Sequence, residues 1–162
     1  MKKPLNGIIP PLVTPLLNND TLDIEGLDKL IEHIIKGGVH GIFILGTTGE
    51  FASLSYIIRK ELIKHTCKIV NRRVPVLVGI SDSAFSESLN LAGSAADSGA
   101  DAVVLTPPYY FAPGQPELLE YLKRIMVKMP LPLFIYNMPV HTKVVFQPET
   151  VKQSLIFQEL LE

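Results

Sequence analysis

Four near-continuous apolar runs divide the chain: GIFILG (41–46), PVLVGI (75–80), DAVVLT (101–106) and LPLFIY (131–136). Their starts recur at intervals of about 30 residues, the length of one βα unit. Strands wet on one face alternate apolar and polar positions, whereas strands covered on both faces read as unbroken apolar runs, as in parallel sheets. A fifth strand candidate, IIPPLVTP (8–15), precedes the four. Between the runs the apolar positions shift to helical spacing. In DIEGLDKLIEHIIKGG, Ile24, Leu27, Leu30, Ile31, Ile34 and Ile35 form one stripe; Asp23 stands at the N-cap position and Gly37-Gly38 stops the helix. A second helix, SYIIRKELIKHTCKIVNRR, begins at a capping Ser55, and SESLNLAGSAADSG is a small-residue helix suited to close packing on a sheet. QPELLEYLKRIMVKM and QPETVKQSLIFQELLE carry Pro116 and Pro148 in first-turn positions.

The pattern is a periodic α/β array of about five βα units, expected to form a single domain over 1–162. Two folds compete for it. A five-stranded, doubly wound open sheet of flavodoxin type is complete at this length, while a (β/α)8 TIM barrel runs to about 250 residues and would be truncated here. Both place ligands at the carboxyl ends of parallel strands. Those ends read Gly46-Thr47-Thr48-Gly49-Glu50, Thr106-Pro107-Pro108-Tyr109-Tyr110 and Tyr136-Asn137-Met138-Pro139. A nucleotide-binding open sheet carries a phosphate loop after its first strand. Here PLLNNDT follows the first candidate and reads as a plain turn, which favours the barrel.

GTTGE suits a small anion. Glycines let the backbone approach closely, and successive N–H groups with two hydroxyls donate to a carboxylate without placing a full positive charge there. Tyrosines at neighbouring strand ends can relay a proton when a hydroxyl such as that of Thr47 stands beside them. The plainer alternative is a tight turn, a hydroxyl-capped helix and rim tyrosines.

Composition removes several function classes. The net charge is −1 and the 15 basic residues form no stripe, so neither nucleic acid nor an anionic membrane is an expected partner. One cysteine, Cys67, cannot make an internal disulfide, and four scattered histidines without a ligand-spaced pair predict no metal site. MKKPLNGIIPPLVTPLL is interrupted by Asn6 and prolines, unlike a signal peptide, and no run reaches the ~20 apolar residues of a membrane span. A cytoplasmic protein is expected.

GTTGE, PPYY and YNMP, in that order and behind GIIPPLVTP, resemble the dihydrodipicolinate synthase / N-acetylneuraminate lyase family of class I, pyruvate-dependent (β/α)8 lyases. The resemblance runs from about residue 4 to about 155. It implies a carbon–carbon lyase (an aldolase or a 4-hydroxy-tetrahydrodipicolinate synthase-like enzyme) working without cofactor or metal, as a homo-oligomer. In that family pyruvate or another 2-oxo acid forms a Schiff base with a lysine at the end of the sixth barrel strand. Carried over by motif, Thr47 and Thr48 hold the substrate carboxylate beside Gly46. Tyr136 is the general acid/base, and Thr47 and Tyr110, the latter from a neighbouring subunit, complete its relay. A phenol with a pKa near ~10 needs such a chain to act at neutral pH.

Three departures accompany the resemblance. His141 stands where synthases carry an arginine that grips the second substrate's carboxylate, and it cannot reproduce that bidentate clamp; it either binds another acceptor or lines the rim. Gly-Ile-Ser-Asp follows the third strand candidate in place of a Gly-Thr-Gly start. No G-[IVL]-K-[DE] segment occurs among the 162 residues, so the Schiff-base lysine is absent. Of eleven lysines only Lys143 falls on the catalytic side, in a loop, where it reads as a solvated charge. The chain is therefore expected to carry the family's carboxylate seat yet to be inactive alone. Two alternatives are a non-catalytic half-barrel interaction module and a flavodoxin-like nucleotide or flavin binder.

Overall fold

The computed structural model of the protein describes residues 5–159. Residues 160–162, the end of the helix predicted to close the chain, lie outside that range, as do the first four residues.

The first strand candidate, 8–15, does not become a regular strand. Pro10, Pro11 and Pro15 remove three backbone donors from it, so it cannot complete a ladder. It lies alongside the next strand through one parallel bridge, Pro11 to Phe43. Leu12 donates its N–H to the Phe43 carbonyl (2.8 Å), and Phe43 donates to that of Pro10 (3.1 Å). The segment after it is more than a plain turn. Leu16–Asn18 (β1) and Thr21–Leu22 (β2) pair antiparallel, and the Asn18 side chain accepts the Asp20 N–H at the tip (3.1 Å).

From there the βα units follow in order. Helix Ile24–Lys36 (α1) is capped by Asp23, whose carboxylate accepts the Gly26 N–H (2.9 Å). Strand Ile42–Ile44 (β3) leads through a short 3-10 turn to helix Tyr56–Val70 (α2), capped by Ser55 on the Ile58 N–H. Strand Val76–Gly79 (β4), helix Phe85–Ser98 (α3), strand Ala102–Leu105 (β5) and helix Gln115–Met126 (α4) continue the alternation. Strand Leu133–Ile135 (β6), a one-turn helix Pro139–Thr142 (α5) that periodicity could not announce, and helix Pro148–Glu159 (α6) complete it. Gln115, at the start of α4, ties the last units together. Its side chain donates to the Val145 carbonyl (2.8 Å) and accepts from the Gln147 N–H (3.1 Å) and the Thr150 hydroxyl (2.6 Å).

The strand order separates the two competing folds. A doubly wound sheet places strands out of sequence order, with helices on both faces. Here four parallel strands lie in the order β3-β4-β5-β6, which is their sequence order, with the proline segment on the β3 side. The helices lie on one face only. Ile42, Ile44, Val76, Val78, Val103 and Leu105 share a buried core with Leu27 of α1, Leu62 and Ile63 of α2, Leu91 of α3 and Leu118 of α4. The other face carries a separate cluster of Leu77, Ala102 and Val104, packed by Leu5, Ile9, Phe43 and Tyr136, none of them helical; among the described residues no helical hydrophobic joins it. This is the wall of a (β/α)8 barrel, not a flavodoxin-type sheet. No helix among the described residues is long and apolar enough to cross a membrane.

Candidate active site

The end of β3 is shaped by a backbone reversal. Leu45, fully buried, has φ +57°, and its carbonyl swings towards β4, where a Cβ at Gly79 would collide with it. Gly46 faces the Phe43 ring, which a Cβ there would approach to 2.7 Å. The turn then folds back: Gly49 donates to the Gly46 carbonyl (3.1 Å), Glu50 to that of Thr47 (3.0 Å), and the Thr14 hydroxyl to that of Gly49 (2.8 Å). These bonds occupy the carbonyls on the inside of the turn. Among the described residues, the N–H groups of Thr47 and Thr48 donate to no protein acceptor, and the Thr47 side chain is half-buried while that of Thr48 is exposed.

Beyond β5, Thr106 is buried and its N–H donates to the Ser81 hydroxyl (2.9 Å). Pro107 and Pro108 carry the chain to Tyr109, whose ring meets Phe51 edge to face (5.9 Å). Burial, with the Asp82 charge added to it, pushes the Tyr109 phenol up. Tyr110 is different in kind. It is 87% exposed with φ +83°, and its ring meets that of Phe111 edge to face (5.0 Å).

Beyond β6, Tyr136 donates its N–H to the Leu105 carbonyl (2.8 Å) and sets its ring edge-on to Phe43 (6.5 Å) on the helix-free face. Asn137 fastens the following loop. Its amide donates to the Phe146 carbonyl and accepts the Phe146 N–H, both at 3.1 Å. Lys143, φ +58°, returns its ammonium to the Val140 carbonyl (2.8 Å), as a solvated loop lysine does. Four of the six non-glycine residues with positive φ, namely Leu45, Glu50, Tyr110 and Lys143, lie on these strand-end segments. Such strain collects where surrounding structure over-determines the backbone, and functional sites are such places.

The three ends meet in a cleft of about 290 Å³ lined by Thr47, Glu50, Phe51, Ala52, Ser53, Thr106, Tyr109, Met138, His141 and Thr142. Of the six residues singled out from the sequence, Thr47 and His141 line it. Thr48 and Gly46 adjoin it through the same turn. Tyr136 stands on the inner face beside Phe43, and Tyr110 points outward. Among the described residues the hydroxyls of Thr47, Tyr110 and Tyr136 make no hydrogen bonds to one another. Glu50, Thr106 and Tyr109, which belong to the quoted strand-end motifs but are not among those six, also wall the cleft. Near Tyr109 stands a buried ion pair that no motif announces. The Arg59 guanidinium and Asp82 carboxylate lie 2.9 Å apart, with side-chain exposures of 6% and 7%. The one available signal was Asp82 itself, in the unusual Gly-Ile-Ser-Asp strand end.

The model of the dihydrodipicolinate synthetase family matches residues 4–160. The structure superposes on a dihydrodipicolinate synthase from the commensal bacterium Bacteroides thetaiotaomicron with a TM-score of 0.91 and 62% identity, covering 96% of this chain and 52% of that one. It superposes on YagE, a prophage protein of that family from Escherichia coli K12 solved in complex with pyruvate, with a TM-score of 0.88 and 36% identity, covering 93% and 50%. The 4-hydroxy-tetrahydrodipicolinate synthase of Methanococcus aeolicus is 36% identical over 148 residues, which is 91% of this chain and 51% of that enzyme. The chain spans about half the length of the relatives it matches.

Proposed function

Because the chain belongs to the dihydrodipicolinate synthetase family, we propose that it is the substrate-seating half of a lyase acting on pyruvate or a related 2-oxo acid through a Schiff base. The observation that carries this reading is the turn after β3, where among the described residues the Thr47 and Thr48 N–H groups have no protein acceptor and Thr47 lines the cleft. A planar carboxylate accepts two such donors, and the adjoining hydroxyls add more. The pyruvate bound in the related YagE structure is a ligand of that chemistry. Tyr136, on the inner face, is the group that hands a proton to and from the reacting oxygen, with Thr47 and a Tyr110 from a second copy as its relay. His141 meets the second substrate at the cleft wall, and its single-point contact favours an acceptor other than one gripped by a bidentate arginine.

The nucleophile must come from outside these 162 residues. A Schiff-base lysine has to be desolvated to attack near neutral pH, and Lys143, exposed and bonded to the Val140 carbonyl, is not. Incubation with pyruvate and borohydride followed by intact-mass measurement tests the reading in two arms. The 162-residue chain should remain unmodified. A chimera continuing into the second half of the Bacteroides thetaiotaomicron enzyme should gain one reduced pyruvyl group: the amine adds to the carbonyl carbon, water leaves, and hydride fixes the imine. An adduct on the short chain, or none on a folded chimera, overturns it.

A further inference from the structure

Behind the cleft lies a charged pair that the proposed chemistry does not use. Arg59, on the first turn of α2, and Asp82, in the loop after β4, are both nearly inaccessible to solvent. Their hydrogen bonds are well distributed. Arg59 Nη1 donates to Asp82 Oδ2 (2.9 Å), and its Nε donates to the Leu54 carbonyl (3.1 Å). The Tyr56 hydroxyl donates to the same Asp82 oxygen (3.0 Å), and Asp82 Oδ1 accepts the Ala84 N–H (2.9 Å). The guanidinium also sits 4.8 Å from the Tyr56 ring centre.

Stability alone gives little reason for such a pair. Taking two charges out of water costs several kcal/mol per ion, and replacing a buried pair by apolar residues of similar volume is often neutral or stabilising. What the pair does accomplish is a connection. The residues flanking Asp82 hold the next strand end: Ser81 accepts the Thr106 N–H (2.9 Å), and the Ser83 hydroxyl donates to the Tyr109 carbonyl (3.3 Å). That carbonyl precedes Tyr110, the exposed tyrosine at φ +83°. A non-glycine residue in that conformation persists only when its surroundings impose it.

We propose that Arg59 and Asp82 are positioning residues: their ion pair fixes the loop after β4, which in turn holds Tyr109 and sets the direction in which Tyr110 leaves the protein. The importance of that direction rests on the proposed role of Tyr110 in the relay of a second copy. The device itself does not.

Amide hydrogen exchange across the full 162-residue chain separates the two. Arg59→Met with Asp82→Leu removes both charges without leaving either unpaired. The double variant should fold with an unchanged urea midpoint and exchange the Thr106 amide, which the Ser81 hydroxyl holds, about tenfold faster or more, while α1 and β4 keep their protection. Arg59→Lys, which retains a cation for Asp82, should keep most of the Thr106 amide's protection. Unchanged exchange at Thr106 in a folded double variant overturns the proposal. So does a double variant that fails to fold or loosens everywhere, since the pair would then be a stability element. Loss of Thr106 protection in Arg59→Lys equal to that in the double variant also overturns it. A loop that behaves as expected in a protein failing the pyruvate trapping arm refutes the functional reading and leaves the positioning role standing.

Discussion

The two faces of the parallel sheet are built from the same strands and differ in almost everything else. On the helix-covered face Ile42, Ile44, Val78, Val103 and Leu105 are 0–1% exposed and packed against four amphipathic helices. On the other face Leu77 and Val104 are each 7% exposed, Phe43 and Tyr136 are half-buried, and Phe134 is 39% exposed. Residues at successive strand positions therefore live in different environments, one finished and one open. The finished face is where burial stabilises the fold. The open face is narrow-sided and aromatic, and it leads to the strand ends where the unused donors lie.

Substitutions on the two faces should fail in different ways. Tyr136→Phe, made in the chimera described above, should reduce turnover by roughly 10²–10⁴-fold, the scale on which a positioned acid/base acts. The phenyl ring keeps its edge contact with Phe43, so the urea midpoint should not move. Full activity in that variant would remove Tyr136 from the mechanism. Leu62→Ala is the opposite test. Leu62 is 1% exposed within the helix-side core, and truncation should cost about 2–5 kcal/mol of unfolding free energy. A loss below about 1 kcal/mol would mean that this face is not the cooperative core.

The same division explains what could be read from the chain. Asp23, Ser55, Pro116 and Pro148 sit where local chemistry put them, because capping and first-turn preferences depend on a few neighbouring residues. The four apolar runs became strands because their prolines, Pro75 and Pro132, stand just ahead of the first strand residue and leave the ladder intact. IIPPLVTP failed as a strand for a reason also visible in it, its three prolines. The hairpin at 16–22 and the one-turn helix at 139–142 are too short to show a period. At the site, Thr47 and His141 line one cleft. The outward course of Tyr110 and the Arg59–Asp82 pair were not legible. Arg59 sits among Ile57, Ile58 and Lys60 like any surface helix charge, and its partner is 23 residues away. Burial of a charge is decided by tertiary packing, which leaves no local mark.

The helix-side core should also announce itself at alkaline pH. Burial, reinforced by the Asp101 charge, pushes the Cys67 thiol from 9.0 to about 11, and burial pushes the Tyr121 phenol from 10.0 to about 12. The folded chain then holds these protons more tightly than the unfolded chain does. Their contribution is fully present below about pH 9 and is lost as pH rises through about 11 for the thiol and about 12 for the phenol. The urea midpoint should be level from about pH 7 to 9 and fall above that. Cys67→Ala should flatten the first part of the fall, and a level midpoint up to about pH 11 in the unaltered chain would contradict the burial of the thiol.

The smallest effect on stability, and the clearest sign of the open face, belongs to Phe134. It pairs in register with Val104 on the helix-free side of β6, the last strand of the sheet, and more than a third of it is accessible. Removing a ring that is already wet forfeits little burial, and threonine is comfortable in a strand, so Phe134→Thr should change the unfolding free energy by no more than about 0.5 kcal/mol. Association should respond more strongly. An apolar surface flanked by an unpaired strand edge invites a second chain, so the 162-residue protein should form dimers or larger species by light scattering, and Phe134→Thr should shift it towards monomer. Leu17→Thr is the control: Leu17 is 70% exposed, but on the β1–β2 hairpin and away from that face. If both variants shift association equally, general surface hydrophobicity drives it. If Phe134→Thr alone does, the chain associates through the inner face of the barrel wall, the same surface on which Tyr136 stands.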